Sequence, residues 1–181
     1  MKNKILQGLG VLSISLLITG CDFKTPNNYD NDYTIEVSLD TTSYSQIESY
    51  HFDGKTVVCE FSPTTYKDYL EDDYKFNQFI IGNEVNYESN KYWVDIRTQL
   101  NYDIQTDRIN KAYSLGCDKL FFSNVDIFDY INDFGINENT TYDFLYDLIN
   151  ESNSYGMSVG ASENDLINTY DISNLFDFTT Y

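Results

Sequence analysis

Thr34 to Leu39 (TIEVSL) alternates apolar and polar side chains with a period of two, the pattern of a strand with one buried face. Tyr44 to Phe52 then reads as a short helix that Asp53-Gly54 closes, and Thr56 to Phe61 (TVVCEF) is a run of β-formers short enough to be a buried parallel strand. A helical stretch is expected around Tyr66 to Phe79, a loop through Ile81-Gly82-Asn83, and a third strand at Tyr92 to Ile96 (YWVDI). Asp103 to Leu115 carries the clearest helical period: Ile104, Ile109, Ala112 and Leu115 fall on one face, and Gly116 is the terminator. Leu120 to Phe122 is a fourth strand, Thr141 to Ser152 a helix, Met157 to Ala161 a fifth strand and Phe176 to Thr179 a sixth. Strand and helix alternate, so the predicted class is α/β, a mostly parallel sheet with helices packed outside it.

The start of the chain departs from this pattern. Lys2 and Lys4 precede an apolar run from Ile5 to Ile18, the order of an export signal. Ile18-Thr19-Gly20-Cys21 resembles the bacterial lipobox, which implies that Cys21 is acylated and becomes the mature N-terminus. The other reading, a spanning anchor with an incidental cysteine, fits less well because the run is short for a membrane span. Residues 1–20 are therefore expected to be a lipoprotein signal, residues 21–33 the acylated cysteine and a polar tether, and residues 34–181 the folded domain. The expected location is exported and membrane-anchored, facing outward from the cytoplasmic membrane or into the periplasm. A complete eight-stranded barrel typically needs roughly 250 residues. Six strands in the remaining length point to an open sheet or an incomplete barrel, with unpaired edges on its first and last strands.

Charge narrows the partners. The chain carries a formal net charge of −18, and the expected loss of Lys2 and Lys4 makes the exported part more acidic still. Nucleic acid is excluded as a partner, since binding it requires cationic side chains that displace counterions. A cationic polymer remains compatible, although acidity also serves solubility alone. With Cys21 assigned to lipid, Cys59 and Cys117 are left either to form one disulfide or to stay as buried thiols. His51 is the sole histidine and there is no CxxC, so no metal site or cofactor is expected.

Five blocks in order carry a family resemblance: GKTVVCEFS (Gly54 to Ser62), IGNEVNYESNKYWVDIR (Ile81 to Arg97), RINKAYSLGCDKLFFSNVD (Arg108 to Asp126), YGMSVGASEND (Tyr155 to Asp165) and FDF (Phe176 to Phe178). Together they resemble glycoside hydrolase family 114, described as endo-α-1,4-polygalactosaminidases on a TIM-barrel fold. The resemblance implies a TIM-barrel-like parallel (β/α) domain with about six of eight units, a site at the C-terminal ends of the strands, and a polysaccharide partner, with a cationic amino-sugar polymer as the candidate. Asp95 and Arg97 match the family's Trp-Leu-Asp-Ile-Arg block, and Asn124 to Asp126 match the end of its Glu-Pro-Asp-Asn-Val-Asp block. Asp95 and Arg97 can equally form a salt bridge with each other, and Asn124 and Asp126 can cap the following turn.

The departures bear on activity. Where the family block reads Glu-Pro-Asp, this chain has Phe121, Phe122 and Ser123; the family's Lys-Asn-Asp becomes Ser162, Glu163 and Asn164; and the family's pattern continues beyond Phe-Asp-Phe to an Asn-Glu pair past the last residue here. Hydrolysis of a glycosidic bond usually needs two opposed carboxyl groups, one to protonate the leaving oxygen and one to act as nucleophile or to activate water. No catalytic residue is therefore assigned. Candidate substrate-binding residues are Glu60, Asp95, Arg97, Ser123, Asn124, Asp126 and Glu163, with Asp126 the best single acid and Glu60 with Glu163 a possible replacement pair. The expectation is a lipoprotein whose site descends from a polysaccharide hydrolase but is degenerate in acids; the alternative is a non-catalytic glycan-binding or structural lipoprotein.

Overall fold

The computed structural model describes residues 33–166 and 170–180. The expected leader, Cys21 and nearly all of the tether lie outside these residues. In chain order the elements are β1 (Thr34–Ser38), α1 (Tyr44–Phe52), β2 (Thr56–Phe61), β3 (Thr65–Lys67), β4 (Ile81–Glu84), β5 (Lys91–Val94), α2 (Gln99–Leu115), β6 (Lys119–Phe122), α3 (Glu138–Ser154), β7 (Ser158–Ser162), α4 (Glu163–Leu166), α5 (Tyr170–Ser173) and β8 (Phe178–Thr180). Five strands form one parallel sheet in the order β1-β2-β6-β7-β8, with β1 and β8 at its edges. The α/β class and the parallel (β/α) arrangement thus agree with the sequence.

The parallel sheet has one strand fewer than expected. The YWVDI segment does not join it: β5 is the middle strand of a separate antiparallel sheet, flanked by β3 and β4. A short strand buried on both faces reads alike in either kind of sheet, and Trp93 and Val94 are both fully buried. The helix expected over Tyr66 to Phe79 is absent. That stretch forms β3 and one turn of 3₁₀ helix at Asp73–Lys75. Its conformation is held from outside: the buried Arg108 of α2 donates Nε and Nη2 to the two Asp72 oxygens at 2.7 and 2.9 Å. Ile81–Glu84 is a strand, not a loop. Gly82 fits there because a side chain would meet the Phe134 ring and the Asn132 carbonyl at under 3 Å.

Both long helices begin earlier than the apolar period suggests, because their caps are polar. Thr98 accepts a hydrogen bond from the Asn101 amide at the start of α2, and Asn137 accepts one from Thr140 at the start of α3. Gly116 ends α2 with φ 90°, a left-handed conformation that glycine adopts without strain.

The two sheet faces differ. Val57, Cys59, Phe61, Leu120, Phe122, Val159 and Ala161 alternate onto the helix-packed face and join Ile47, Ile109 and Leu145 in the main core. The opposite face carries a smaller apolar group, Val58, Phe121 and Phe178. Glu60 lies on that second face by alternation with Val58. Cys59 and Cys117 form a disulfide, with Cα atoms 5.9 Å apart, and so tie β2 to the residues leading into β6. His51 serves the far end of the sheet, where Asp118 Oδ2 meets its Nε2 at 2.9 Å and accepts from the Val57 amide at 2.7 Å.

Candidate functional site at the strand ends

Parallel strands bring their C-terminal ends to one edge of the sheet, and the loops that follow carry the polar chemistry. Ser123, directly after β6, donates its hydroxyl to Glu60 Oε1 of β2 at 2.6 Å. Phe121, two residues earlier, points to the same face but is only 6% exposed, among Val58 and Phe178. At the far side of the edge Thr179 donates to Glu163 Oε1 at 3.1 Å.

Between these groups the chain after β6 is clamped. Asn124 has φ 57°, its amide donates to Asp165 Oδ2 at 2.8 Å, and its carbonyl accepts from the buried Thr64 hydroxyl at 2.6 Å. Its side-chain Nδ2 donates to the Tyr87 hydroxyl at 2.8 Å. Asp126 sits next in this turn, only 9% exposed, and its side chain does not cap the 3₁₀ turn that follows. Among the described residues Asp126 Oδ1 and Asn124 Oδ1 are buried oxygens that find no hydrogen-bond partner.

Burial, and then the charge of Asp165, push the Asp126 carboxyl up to about 6, against smaller opposing effects of its own backbone and the Tyr130 hydroxyl. Asp165 is itself raised, chiefly by burial, although it accepts from the Asn124 and Val125 amides and feels Lys91. Tyr87 and Tyr130 are held in their protonated forms by burial and by the same carboxylates. Two partly desolvated carboxylates, one in the turn after β6 and one in α4, thus repel one another electrostatically. Such a pair is stabilised either by sharing a proton or by receiving a cation.

Asp95 and Arg97 pair with each other. Arg97 Nε and Nη2 grip Asp95 Oδ1 and Oδ2 at 2.7 and 2.8 Å, and these hydrogen bonds hold Asp95 below the usual carboxylate range. Asp95 and Arg97 thus form the salt bridge that the sequence allowed. Arg97 also lines a cavity of about 340 Å³ between the starts of α2 and α3, with Thr98, Asp143 and Asp147. Among the described residues no group of three or more His, Cys, Asp or Glu side chains is placed to hold a metal ion.

Of the candidates named from sequence, Glu60, Ser123, Asn124, Asp126 and Glu163 gather along the strand ends. Sequence reasoning missed Asp165, Tyr87 and Tyr130. Asp165 closes the ASEND block and follows β7 by three residues, a spacing that should have flagged it. Tyr87 had no usable signal, because only the fold of the antiparallel sheet brings it to Asn124.

Comparison with known proteins follows the same lines. No curated protein matches the sequence. The crystal structure of Aspergillus fumigatus Ega3 in complex with galactosamine is similar with a TM-score of 0.76 and 22% identity, over 86% of this chain and 61% of that one. The glycoside hydrolase domain of PelA from Pseudomonas aeruginosa matches with a TM-score of 0.66 and 11% identity, over 81% of this chain and 58% of that one. TtGalA, the α-galactosidase from Thermus thermophilus, matches with a TM-score of 0.55 and 11% identity, over 71% and 31%. At these identities the likeness concerns the fold, and the chain spans less than two thirds of each of these structures. The family profile described as glycoside-hydrolase family GH114 matches residues 17–180, and the chain belongs to that family.

Proposed function

We propose that this chain is the glycan-recognising domain of an exported, lipid-anchored protein, and that it binds galactosamine-containing polysaccharide at the strand ends without cutting it. The observation that carries the reading is the Asp126–Asp165 pair: two desolvated carboxylates, with Asp126 Oδ1 unpartnered, form a site that a protonated sugar amine would complete. The net charge of −18 favours approach of a polycation over the whole surface. Galactosamine bound to the similar Ega3 structure and the family membership support the same ligand class.

The binding-only half rests on Phe121 and Ser123. They stand where the family block has acids, one packed in an apolar cluster and the other engaged with Glu60. Export and acylation at Cys21 are supported by the leader pattern and by the Cys59–Cys117 bridge, since disulfides persist in oxidising compartments. A second reading, a hydrolase with Asp126 as its general acid, is favoured by one observation: a carboxyl pushed to about 6 still holds protons in weakly acidic solution.

Incubating the protein with α-1,4-linked polygalactosamine separates the two readings. Retention of the polymer with no new reducing ends supports binding alone. Release of reducing ends that Asp126→Asn abolishes establishes the hydrolase. No retention and no cleavage overturns both.

A further inference from the structure

The antiparallel sheet is an insertion between β2 and α2, and the aromatic side chain it brings to the strand ends is Tyr87. Tyr87, in the turn between β4 and β5, is 53% exposed although both its ring and its hydroxyl are held. The ring packs on Tyr130 with centroids 5.7 Å apart, and Tyr130 stacks on Trp93 at 5.2 Å. Trp93 is fully buried in β5, so this aromatic column is anchored in the insertion's own core. The hydroxyl accepts from Asn124 Nδ2 at 2.8 Å and so ties the ring to the turn that carries Asp126. On its other flank Tyr87 borders a polar cavity of about 400 Å³ with Glu84, Asn86 and Glu88.

A fixed, half-exposed aromatic ring beside hydrogen-bond acceptors suits a hexose, whose C–H face packs on the ring while its polar substituents reach the acceptors. We propose that Tyr87 is a specificity-determining residue of the site: its ring seats one sugar of the glycan, and its hydroxyl fixes Asn124 in the turn that presents the Asp126 carboxyl group to the sugar's amine. The proposal rests on the amino-sugar reading above. It adds that the antiparallel insertion, not the parallel sheet, selects how the ring lies.

Titration calorimetry with an α-1,4-galactosamine oligomer and its neutral galactose counterpart tests this, using the full chain and the variants Tyr87→Ala, Tyr87→Phe and Asp126→Asn. Loss of the ring in Tyr87→Ala is expected to weaken binding of both oligomers about tenfold, the range of a single aromatic contact. Tyr87→Phe keeps the ring, so it is expected to bind the neutral oligomer like wild type while its preference for the amine-bearing one falls. If Tyr87→Ala fails to fold, the Tyr87→Phe preference decides alone. Wild-type affinity and selectivity in both Tyr87 variants, with binding lost in Asp126→Asn, overturns the role of Tyr87 and leaves the amino-sugar reading standing. Failure of wild type to bind the amine-bearing oligomer overturns both.

Discussion

At the residue scale the decisive group is Asp126, because the same environment sets its effect on folding and on binding. Its carboxyl is raised from 3.8 to about 6, so between these values the folded chain holds a proton that the unfolded chain has lost. The associated stability is full below pH 4 and is lost as pH rises through about 6. Asp126→Asn removes this penalty. It should raise stability at pH 7 by on the order of 2 kcal/mol and have no such effect below pH 4, as urea unfolding at the two pH values will show. Ligand binding should move the opposite way: affinity of the wild type for an amine-bearing oligomer rises as pH passes through about 6, while affinity for a neutral oligomer stays level. Ser123 and Glu60 form a second local unit, and the same Glu60 charge, after burial, pushes the neighbouring Glu36 carboxyl upward.

At the element scale, strand pairing places side chains that no single segment could place. Gly160 of β7 pairs with Phe178 of β8, and the Phe178 ring occupies the space where any side chain at Gly160 would project. Gly160→Ala should therefore cost about 1–3 kcal/mol through overpacking. Combining it with Phe178→Ala should recover much of that loss, a non-additivity that a thermal double-mutant cycle measures directly. The mooring of the 68–76 segment is a comparable case. Burial alone would raise Asp72, but the hydrogen bonds and charge of Arg108 outweigh it and hold the carboxyl below its ordinary range. Arg108 Nη1 also donates to the Ser62 carbonyl at 3.2 Å, so one guanidinium fixes both the insertion and the exit of β2 near Glu60.

At the scale of the whole molecule the Cys59–Cys117 bridge encloses the entire antiparallel insertion and all of α2, across 58 residues of sequence. Closing a loop of that length in the unfolded chain is worth about 4 kcal/mol. Reductant should therefore lower the urea midpoint of the wild type and leave that of a Cys59→Ala/Cys117→Ala variant unmoved; equal midpoints with and without reductant would remove the bridge from the account of stability. The alternation of strands and helices, the caps of α1 and α2 at Gly54 and Gly116, and the apolar stripe of α2 were all readable from the chain, because each depends on periods and turn residues within a dozen positions. The family, too, was carried by local blocks. The direction of the YWVDI strand, the fate of the 66–79 segment and the meeting of Tyr87 with Asn124 were not readable, since each is settled by a partner far away in sequence: β3 and β4, Arg108, and the turn after β6. Sequence alone thus determined the strands and helices of the parallel (β/α) part and which residue types stand at the strand ends, but not the elements between β2 and β5. Tertiary structure alone decided which partly desolvated carboxylates repel one another, because charge coupling and burial depend on distance in space, and the chain specifies that distance only once it has folded.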